Sequence, residues 1–251
     1  MAAAPSIDAL GQFRLLTSLG PVGASVNFTN SNLMMLITAG LVLALMLIGM
    51  KPRALVPGRL QAAAEIGYEF VSNMCIESIG PEGKRFFPFV FTLFFFILFG
   101  NLLGLFPYFF AFTSHIAVTA TLAVAVFLLT IIVGLSIHKL HFFSYFVPPG
   151  APKLLIPLMV LIEILTFLSR PISLSVRLFA NIVAGHVLWE VFAGFMLMIA
   201  FALGSVGLVA AVLPLVVNVV LVGFELLVAF LQAYVFAVLT CIYLHDAVHL
   251  H

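Results

Sequence analysis

Charged residues are scarce in this chain. They make up 8% of the 251 residues, whereas hydrophobic residues make up 64%. A water-soluble domain carries about a quarter charged residues, so this chain cannot cover a surface that faces water on all sides. Most of its outer surface must face lipid instead. The net charge of +1 and the lack of a basic tract argue against nucleic-acid binding.

Cysteine is rarer still. Cys75 and Cys241 are the only two cysteines, and they show no metal-ligand spacing, so they are interpreted as two small apolar residues. The sequence contains no nucleotide-binding loop, catalytic triad or metal-ligand cluster. We therefore expect no cofactor, no direct binding of ATP and no catalytic site in the chain itself. Residues 1–30 also lack the compact apolar core of a cleaved signal peptide.

Long uncharged runs are present instead. Residues 33–50, 86–112 and 116–137 contain no charged side chain. Because about 20 apolar residues are enough for one helical crossing of a bilayer, these runs predict three membrane spans. Gly100 and Gly104 form a GxxxG pattern, which permits close helix packing but is weak evidence alone.

Residues 58–80 have a different character. Gln61, Glu65 and Glu69 recur at every fourth position, which predicts an amphipathic helix outside the hydrocarbon core. The opposing apolar face is predicted to consist of Leu60, Ala63, Gly67, Phe70 and Met74.

Basic residues are unevenly distributed among the connecting segments. The leading segment holds only Arg14, so the positive-inside rule predicts an external N-terminus. We expect a multi-pass protein of the bacterial inner membrane, with the mitochondrial inner membrane as the alternative. The basic residues that set this orientation are Lys51, Arg53, Arg59, Lys84 and Arg85 after the first span, and Lys139 and Lys153 after the third.

The last hundred residues predict two very long helices. Residues 154–203 and 208–244 flank one turn candidate, Gly204–Gly207. At 1.5 Å per residue the two arms would measure roughly 74 and 55 Å, well beyond a core of about 30 Å. We predict a steeply tilted helical hairpin; the alternative is two ordinary spans with extramembrane extensions. The bends are expected at Pro157, Pro171 and Pro214. The fold class is thus an all-α polytopic membrane protein with one membrane domain over residues 1–251.

Polar residues in the first arm follow a regular spacing. Glu163, Arg170 and Arg177 are seven residues apart, which places successive members within about 20° of each other on a helix. Thr166 and Ser173 adjoin this stripe, and Asn181 continues it.

The second arm repeats the pattern. Asn218, Glu225 and Gln232 are also seven residues apart, and Tyr243 returns to the same face. Each arm therefore presents one polar line on an apolar helix, which is typical of one wall of a water-accessible path. His186 lies nine residues after Arg177, on the opposite helical face, from which it can meet Glu225 of the other arm as a proton-relay pair.

Most of these residues also have a simpler interpretation than a place in a water-accessible path. Glu163 and Arg170 can lie near an interface and extend their side chains towards water. Asn181, Asn218 and Gln232 can serve as hydrogen-bond links between helices. Arg177 is harder to explain in this way, because it lies deep in an apolar arm.

The segment SRPISLSVRLFANIVAGHVL, residues 169–188, resembles the signature of subunit a of F-type ATP synthases. The likeness continues through LLVAFLQAYVFAVLTCIYL, where Gln232 and Tyr243 match polar family positions, and it is looser around Asn101. His186 combined with Glu225 resembles the alphaproteobacterial and mitochondrial version.

This resemblance implies a non-catalytic stator subunit that abuts a ring of small subunits with membrane carboxyl groups, alongside b-type subunits of the peripheral stalk. Two offset half-channels would reach the ring from opposite sides, coupling proton flow to ring rotation and ATP synthesis. Arg177 would separate them, since arginine is never deprotonated and its charge favours an ionised ring carboxylate. The resemblance assigns Asn181, His186, Glu225 and Gln232 to the inlet, and Glu163, Ser173 and Tyr243 to the outlet.

Two other classes remain as alternatives. A haem-bearing membrane anchor would need histidine pairs on facing helices, but only His186 lies well inside an apolar arm. A secondary ion transporter would favour paired halves with broken helices, and no convincing internal repeat links residues 33–137 with 154–244.

Overall fold

The computed structural model describes residues 28–49, 58–106, 109–146 and 155–249. The expectations for Arg14, for the basic end of the first span at Lys51 and for Lys153 lie outside these ranges. The described chain forms six α-helices: α1 (Asn30–Gly49), α2 (Arg59–Ile79), α3 (Gly83–Gly104), α4 (Ile116–His138), α5 (Ile156–Ala210) and α6 (Val212–Val248). Two 3₁₀ helices, Phe112–Ser114 and Lys139–Phe146, flank α4.

The all-helical membrane architecture is confirmed. Five of the described helices are long and apolar enough to cross a membrane, and α2 is the exception. Helices form here because a chain in hydrocarbon must satisfy its backbone N–H and C=O groups internally. The first and third predicted spans correspond to α1 and α4, with boundaries shifted by a few residues.

The second span is shorter than predicted. Helix α3 ends at Gly104, and Phe112, at which the predicted span ended, lies in a 3₁₀ turn. The two glycines of the GxxxG pattern make room for Ala111 and Phe112, which pack against α3. A Cβ at Gly100 would collide with the ring of Phe112, and one at Gly104 would lie 2.7 Å from the Cβ of Ala111. Hydropathy could not locate the end of α3, because the residues that follow Gly104 are as apolar as those of the helix.

Helix α2 is amphipathic as predicted, but its packed face agrees only in part with the predicted one, of which Met74 is buried. Leu60 and Phe70 are 66% and 38% exposed, whereas Ala64 and Val71 are buried. Close approach explains the rotation, since a Cβ on Gly49 of α1 would lie 2.7 Å from the Cβ of Ala64. Small residues therefore help to determine which face of α2 packs against the chain, together with the buried side chains of Val71, Met74 and Ile79.

The two cysteines lie in contact, although they are far apart in sequence. The sulfur atoms of Cys75 on α2 and Cys241 on α6 are 3.9 Å apart, and both side chains are fully buried. They act as small apolar residues at the α2–α6 interface, as their interpretation from the sequence required.

The turn between the two long arms is not at Gly204–Gly207. Helix α5 continues through that segment to Ala210, and the break falls at Ala211. A helical break in apolar surroundings would leave backbone groups without partners, so glycine and serine alone do not end the helix. Helix α5, with 55 residues, is longer than predicted, and α6 has the predicted 37 residues; a membrane about 30 Å thick requires both to tilt. Pro157 and Pro214 lie in the first turns of these helices, where proline is tolerated.

Helix α6 is at the centre of the molecule. It packs against α2, α3, α4 and α5, while α5 packs mainly against α4 and α6. The buried face of α5 carries Phe167, Leu174, Leu178 and Ile182. Each arm therefore has one face fixed by packing and another that is open.

The close approach of Ala111 to Gly104 predicts that a larger residue at position 104 would disturb the packing. We expect Gly104→Ala to destabilise the chain by about 1–3 kcal/mol, because the new Cβ would overlap Ala111. Gly40→Ala is the matched control, because a Cβ at Gly40 of α1 meets nothing within 4 Å. Thermal aggregation of the purified variants in detergent is the measurement. Equal midpoints for both variants would contradict the packing described here.

Candidate functional site

The polar lines of α5 and α6 meet along an antiparallel crossing. Three contacts join the arms in succession, and each joins one polar side chain of α5 to one of α6. They are Arg170–Asp246, Asn181–Gln232 and His186–Glu225.

His186 and Glu225 form the most buried of these pairs. Nε2 of His186 is 3.6 Å from Oε1 of Glu225, and the two residues are only 6% and 7% exposed. This separation is slightly longer than a direct hydrogen bond, so a small movement is enough to form or break one. The proximity that the sequence allowed is therefore present in the structure.

Gly185 makes room for the carboxyl group of Glu225. A Cβ at Gly185 would lie 2.9 Å from Oε1 and 3.2 Å from Cδ of Glu225. The position of the carboxyl group thus depends on the absence of a side chain on the facing helix. Sequence reasoning missed this residue, and its only signal was a glycine adjacent to His186.

Asn181 and Gln232 are linked directly. Nδ2 of Asn181 donates a hydrogen bond of 2.7 Å to Oε1 of Gln232. The alternative interpretation of these residues as a link between helices is therefore correct as geometry. The pair also lies between the His186–Glu225 contact and the Arg170–Asp246 contact, so it can belong to the polar path as well as link the two helices.

Arg177 is on the open side of α5. It is exposed, and it forms no ion pair with any of the described residues. Ser173, Ala180 and Ala184 are also exposed on this side. His186 is buried on the opposite side, as its spacing from Arg177 predicted.

The remaining predicted residues are less closely connected. Tyr243 is half-buried, and its ring centroid lies 4.9 Å from the guanidinium carbon of Arg170. Glu163 is partly buried, and Ser173 is exposed. No described contact joins either of them to the other predicted site residues, although both lie on the same arm as Arg177.

Sequence reasoning missed Asp246 and left Arg170 as a candidate for extension towards water. In the structure, Nη2 of Arg170 is 3.0 Å from Oδ2 of Asp246. A signal was available, because Asp246 lies fourteen residues after Gln232 and so continues the seven-residue series of α6.

Asn101 of α3 was not among the predicted site residues, although it lies in the part of the chain where the family resemblance is looser. It is 1% exposed, and its Nδ2 donates a hydrogen bond of 3.3 Å to the carbonyl oxygen of Ala229. Ala229 lies between Glu225 and Gln232 on α6. The one sequence signal was an amide inside an otherwise apolar run, which does not indicate a neighbour 128 positions away.

Several buried polar atoms lie along this part of α6. Oε1 of Glu225, Oδ1 of Asn101 and Nε2 of Gln232 have no hydrogen-bond partner among the described residues. Buried polar atoms in proteins are nearly always hydrogen-bonded, so their bonding capacity is available to water. An ionisable group, amides and water together can carry a proton through an apolar layer.

Among the described residues, no group of three or more histidine, cysteine, aspartate or glutamate side chains is placed to hold a metal ion.

Comparison with known proteins identifies the family. A family model described as the ATP synthase A chain matches residues 32–245. ATP synthase subunit a of Granulibacter bethesdensis is 66% identical over 251 residues, and that of Acidiphilium cryptum is 63% identical over 251 residues, each covering 100% of both chains. The subunit of Gluconacetobacter diazotrophicus is 61% identical over 248 residues, or 99% of both chains. With its all-helical membrane fold and the polar crossing of its two long helices, this chain belongs to the family of ATP synthase subunit a.

Proposed function

We propose that this chain is the proton-conducting stator of a bacterial F-type ATP synthase, in which it couples proton flow to rotation of a ring of carboxyl-bearing subunits. The observation that carries the proposal is the placement of Arg177. It is exposed on one side of α5, while His186, on the opposite side, faces Glu225 of α6. The chain thus separates a fixed external charge from an internal polar line.

The chemistry of arginine suits the position of Arg177. A guanidinium group keeps its proton at every physiological pH, so it cannot pass a proton along the path. Its charge favours the ionised form of a nearby carboxyl group, which promotes release of the proton carried by a ring subunit. A permanent tight ion pair would stop rotation, so desolvation must offset most of the attraction.

The side of α5 around Arg177 suits an approaching helix. Ser173, Ala180 and Ala184 are small and exposed next to Arg177. Small residues allow helices in membranes to approach closely. A ring helix that packed on this surface would bring its carboxyl group within reach of the arginine.

The inlet is proposed to follow the polar side chains at the contact between α5 and α6. Asn181, His186, Glu225 and Gln232 are the residues involved, and the two pairs they form across the arms support their assignment to one path. The polar atoms of Glu225 and Gln232 that remain available to water support hydration of this path.

The outlet is proposed to involve Glu163, Ser173 and Tyr243, on the other side of the arginine along α5. Tyr243 lies towards the end of α6 that carries Asp246, so the two paths would be offset. The distribution of basic residues supports an external N-terminus, and the similarity to bacterial relatives supports a position in the bacterial inner membrane. A potential of 100 mV then supplies about 2.3 kcal/mol for each proton that crosses.

The ring and the b-type subunits of the peripheral stalk are the proposed protein partners. The chain contributes no nucleotide-binding or catalytic site in this proposal, and ATP would be made by other subunits of the complex.

Replacing Arg177 tests the proposed function. In inverted vesicles that carry the assembled complex, we expect Arg177→Ala to abolish ATP-driven proton pumping, because nothing would separate the two paths. Passive proton leak should persist or rise. Acidification of the vesicles and leak after removal of the ATP-hydrolysing part of the complex are the two measurements.

Arg59→Ala is the control for this experiment, since Arg59 is exposed on α2, outside the two arms. It should pump at close to the native rate. Native pumping by an assembled Arg177→Ala complex would show that the arginine has only a packing role, and the proposal would be wrong.

The contact between Gly185 and Glu225 gives a second test. We expect Gly185→Ala to lower pumping several-fold, because the added Cβ would displace the Glu225 carboxyl group from His186. Shortening the acid in Gly185→Ala/Glu225→Asp should recover part of the rate, since the carboxyl group withdraws from the new methyl group. Glu225→Asp alone is the control, and a double variant no better than Gly185→Ala would contradict the steric explanation.

A further inference from the structure

Arg170 is held on several sides at one end of the two arms. Its guanidinium group forms a 3.0 Å ion pair with Asp246, and its Cζ lies 4.9 Å from the ring centroid of Tyr243 and 5.5 Å from that of Phe167. A cavity of about 10 Å³ beside these groups also touches Thr130 of α4, which is room for about one water molecule. Arg170 therefore has defined partners on both long helices.

The position of Arg170 creates an electrostatic problem for the proposed function. Arg170 and Arg177 are seven residues apart on one helix, or about 10 Å along its axis. A second unbalanced cation at this distance would also favour the ionised form of a ring carboxyl group. A proton would then be harder to load from the outlet side when the motor runs in reverse.

We propose that Arg170 and Asp246 form a positioning pair, in which Asp246 balances the charge of Arg170 and Arg170 fixes the ring of Tyr243. The inference rests on the proposed function, because it concerns the same proton path. Arg177 then remains the one cation of this stripe without a carboxylate partner among the described residues. Neither member of the pair carries protons in this account.

The geometry calls for arginine rather than lysine. A planar guanidinium group can pair with a carboxylate at its edge while its face covers an aromatic ring, whereas an ammonium group is a point charge. Arg170 makes both kinds of contact: an ion pair with Asp246, and cation–π contacts with the rings of Tyr243 and Phe167.

The surrounding charges are few. Arg177 follows Arg170 by seven residues on α5, and Asp246 follows Tyr243 by three residues on α6. Glu163 lies seven residues before Arg170 on the same helix, and His245 and His249 form a stacked pair at the end of α6. From α4, His138 reaches α6 through a 3.0 Å contact between its Nε2 and the carbonyl oxygen of Val248. Asp246 is the carboxylate of α6 that contacts Arg170.

The test is the pH dependence of ATP-driven pumping by the assembled complex in inverted vesicles. Asp246→Asn leaves the charge of Arg170 unbalanced, so the alkaline limit of pumping should move to lower pH by about half a unit. Arg170→Gln leaves the charge of Asp246 unbalanced and should move the limit in the opposite direction. The double variant Arg170→Gln/Asp246→Asn removes both charges and should return the limit to its native position.

Arg170→Lys is the matched control for charge. It should keep the alkaline limit, because the charge balance is preserved, but lower the maximal rate, because the ring of Tyr243 is no longer covered. Shifts in the same direction for the two single variants, or no shift in either, would overturn the proposal. Loss of pumping in both Asp246→Asn and the double variant, with normal assembly, would show instead that Asp246 carries protons.

The amount of assembled complex is measured for every variant, so that a folding defect is not mistaken for an altered path. If a single variant fails to assemble, the charge exchange Arg170→Asp/Asp246→Arg replaces it, and recovery of assembly is then expected. Arg177→Ala is measured in the same series. If it still pumps, the proposed function is wrong; if it does not pump and the opposite shifts are missing, only the positioning pair is wrong.

Discussion

Polar side chains in an apolar layer must find partners, and the antiparallel crossing of α5 and α6 provides them. Each helix alone would carry ionisable groups into hydrocarbon at a cost of several kcal/mol. Together the helices place His186 opposite Glu225, Asn181 opposite Gln232, and Arg170 opposite Asp246. The rest of the fold holds this crossing in place, since α6 packs against four other helices.

Arg177 differs from the other polar residues of its stripe. Arg170 and Asn181 share its stripe on α5 and contact α6, whereas Arg177 is exposed among small residues and has no ion-pair partner among the described residues. In the proposed function, its charge acts on a carboxyl group of the ring. An arginine paired within the hairpin, as Arg170 is, could not serve that purpose.

Close packing around glycines explains much of the tertiary structure. Gly49 admits Ala64, Gly104 admits Ala111, and Gly185 admits the carboxyl group of Glu225. These contacts determine which face of α2 is buried, where the chain returns after α3, and where the site carboxylate lies. None of them has a signature in hydropathy, because a glycine inside an apolar run reads the same whether or not something approaches it.

The sequence alone determined the elements and the polar lines. Uncharged runs predicted the spans, since hydrocarbon requires helices, and the seven-residue spacing placed Glu163, Arg170 and Arg177 on one stripe and Glu225 and Gln232 on another. Hydropathy did not locate the end of α3 or the break at Ala211, because turn residues in this chain are as apolar as helix residues. Only the tertiary structure decided that Asp246 meets Arg170, that Asn101 reaches Ala229 and that Cys75 touches Cys241. The physical reason is that periodicity fixes a direction around one helix, whereas the partner in that direction depends on the register between helices, which packing sets.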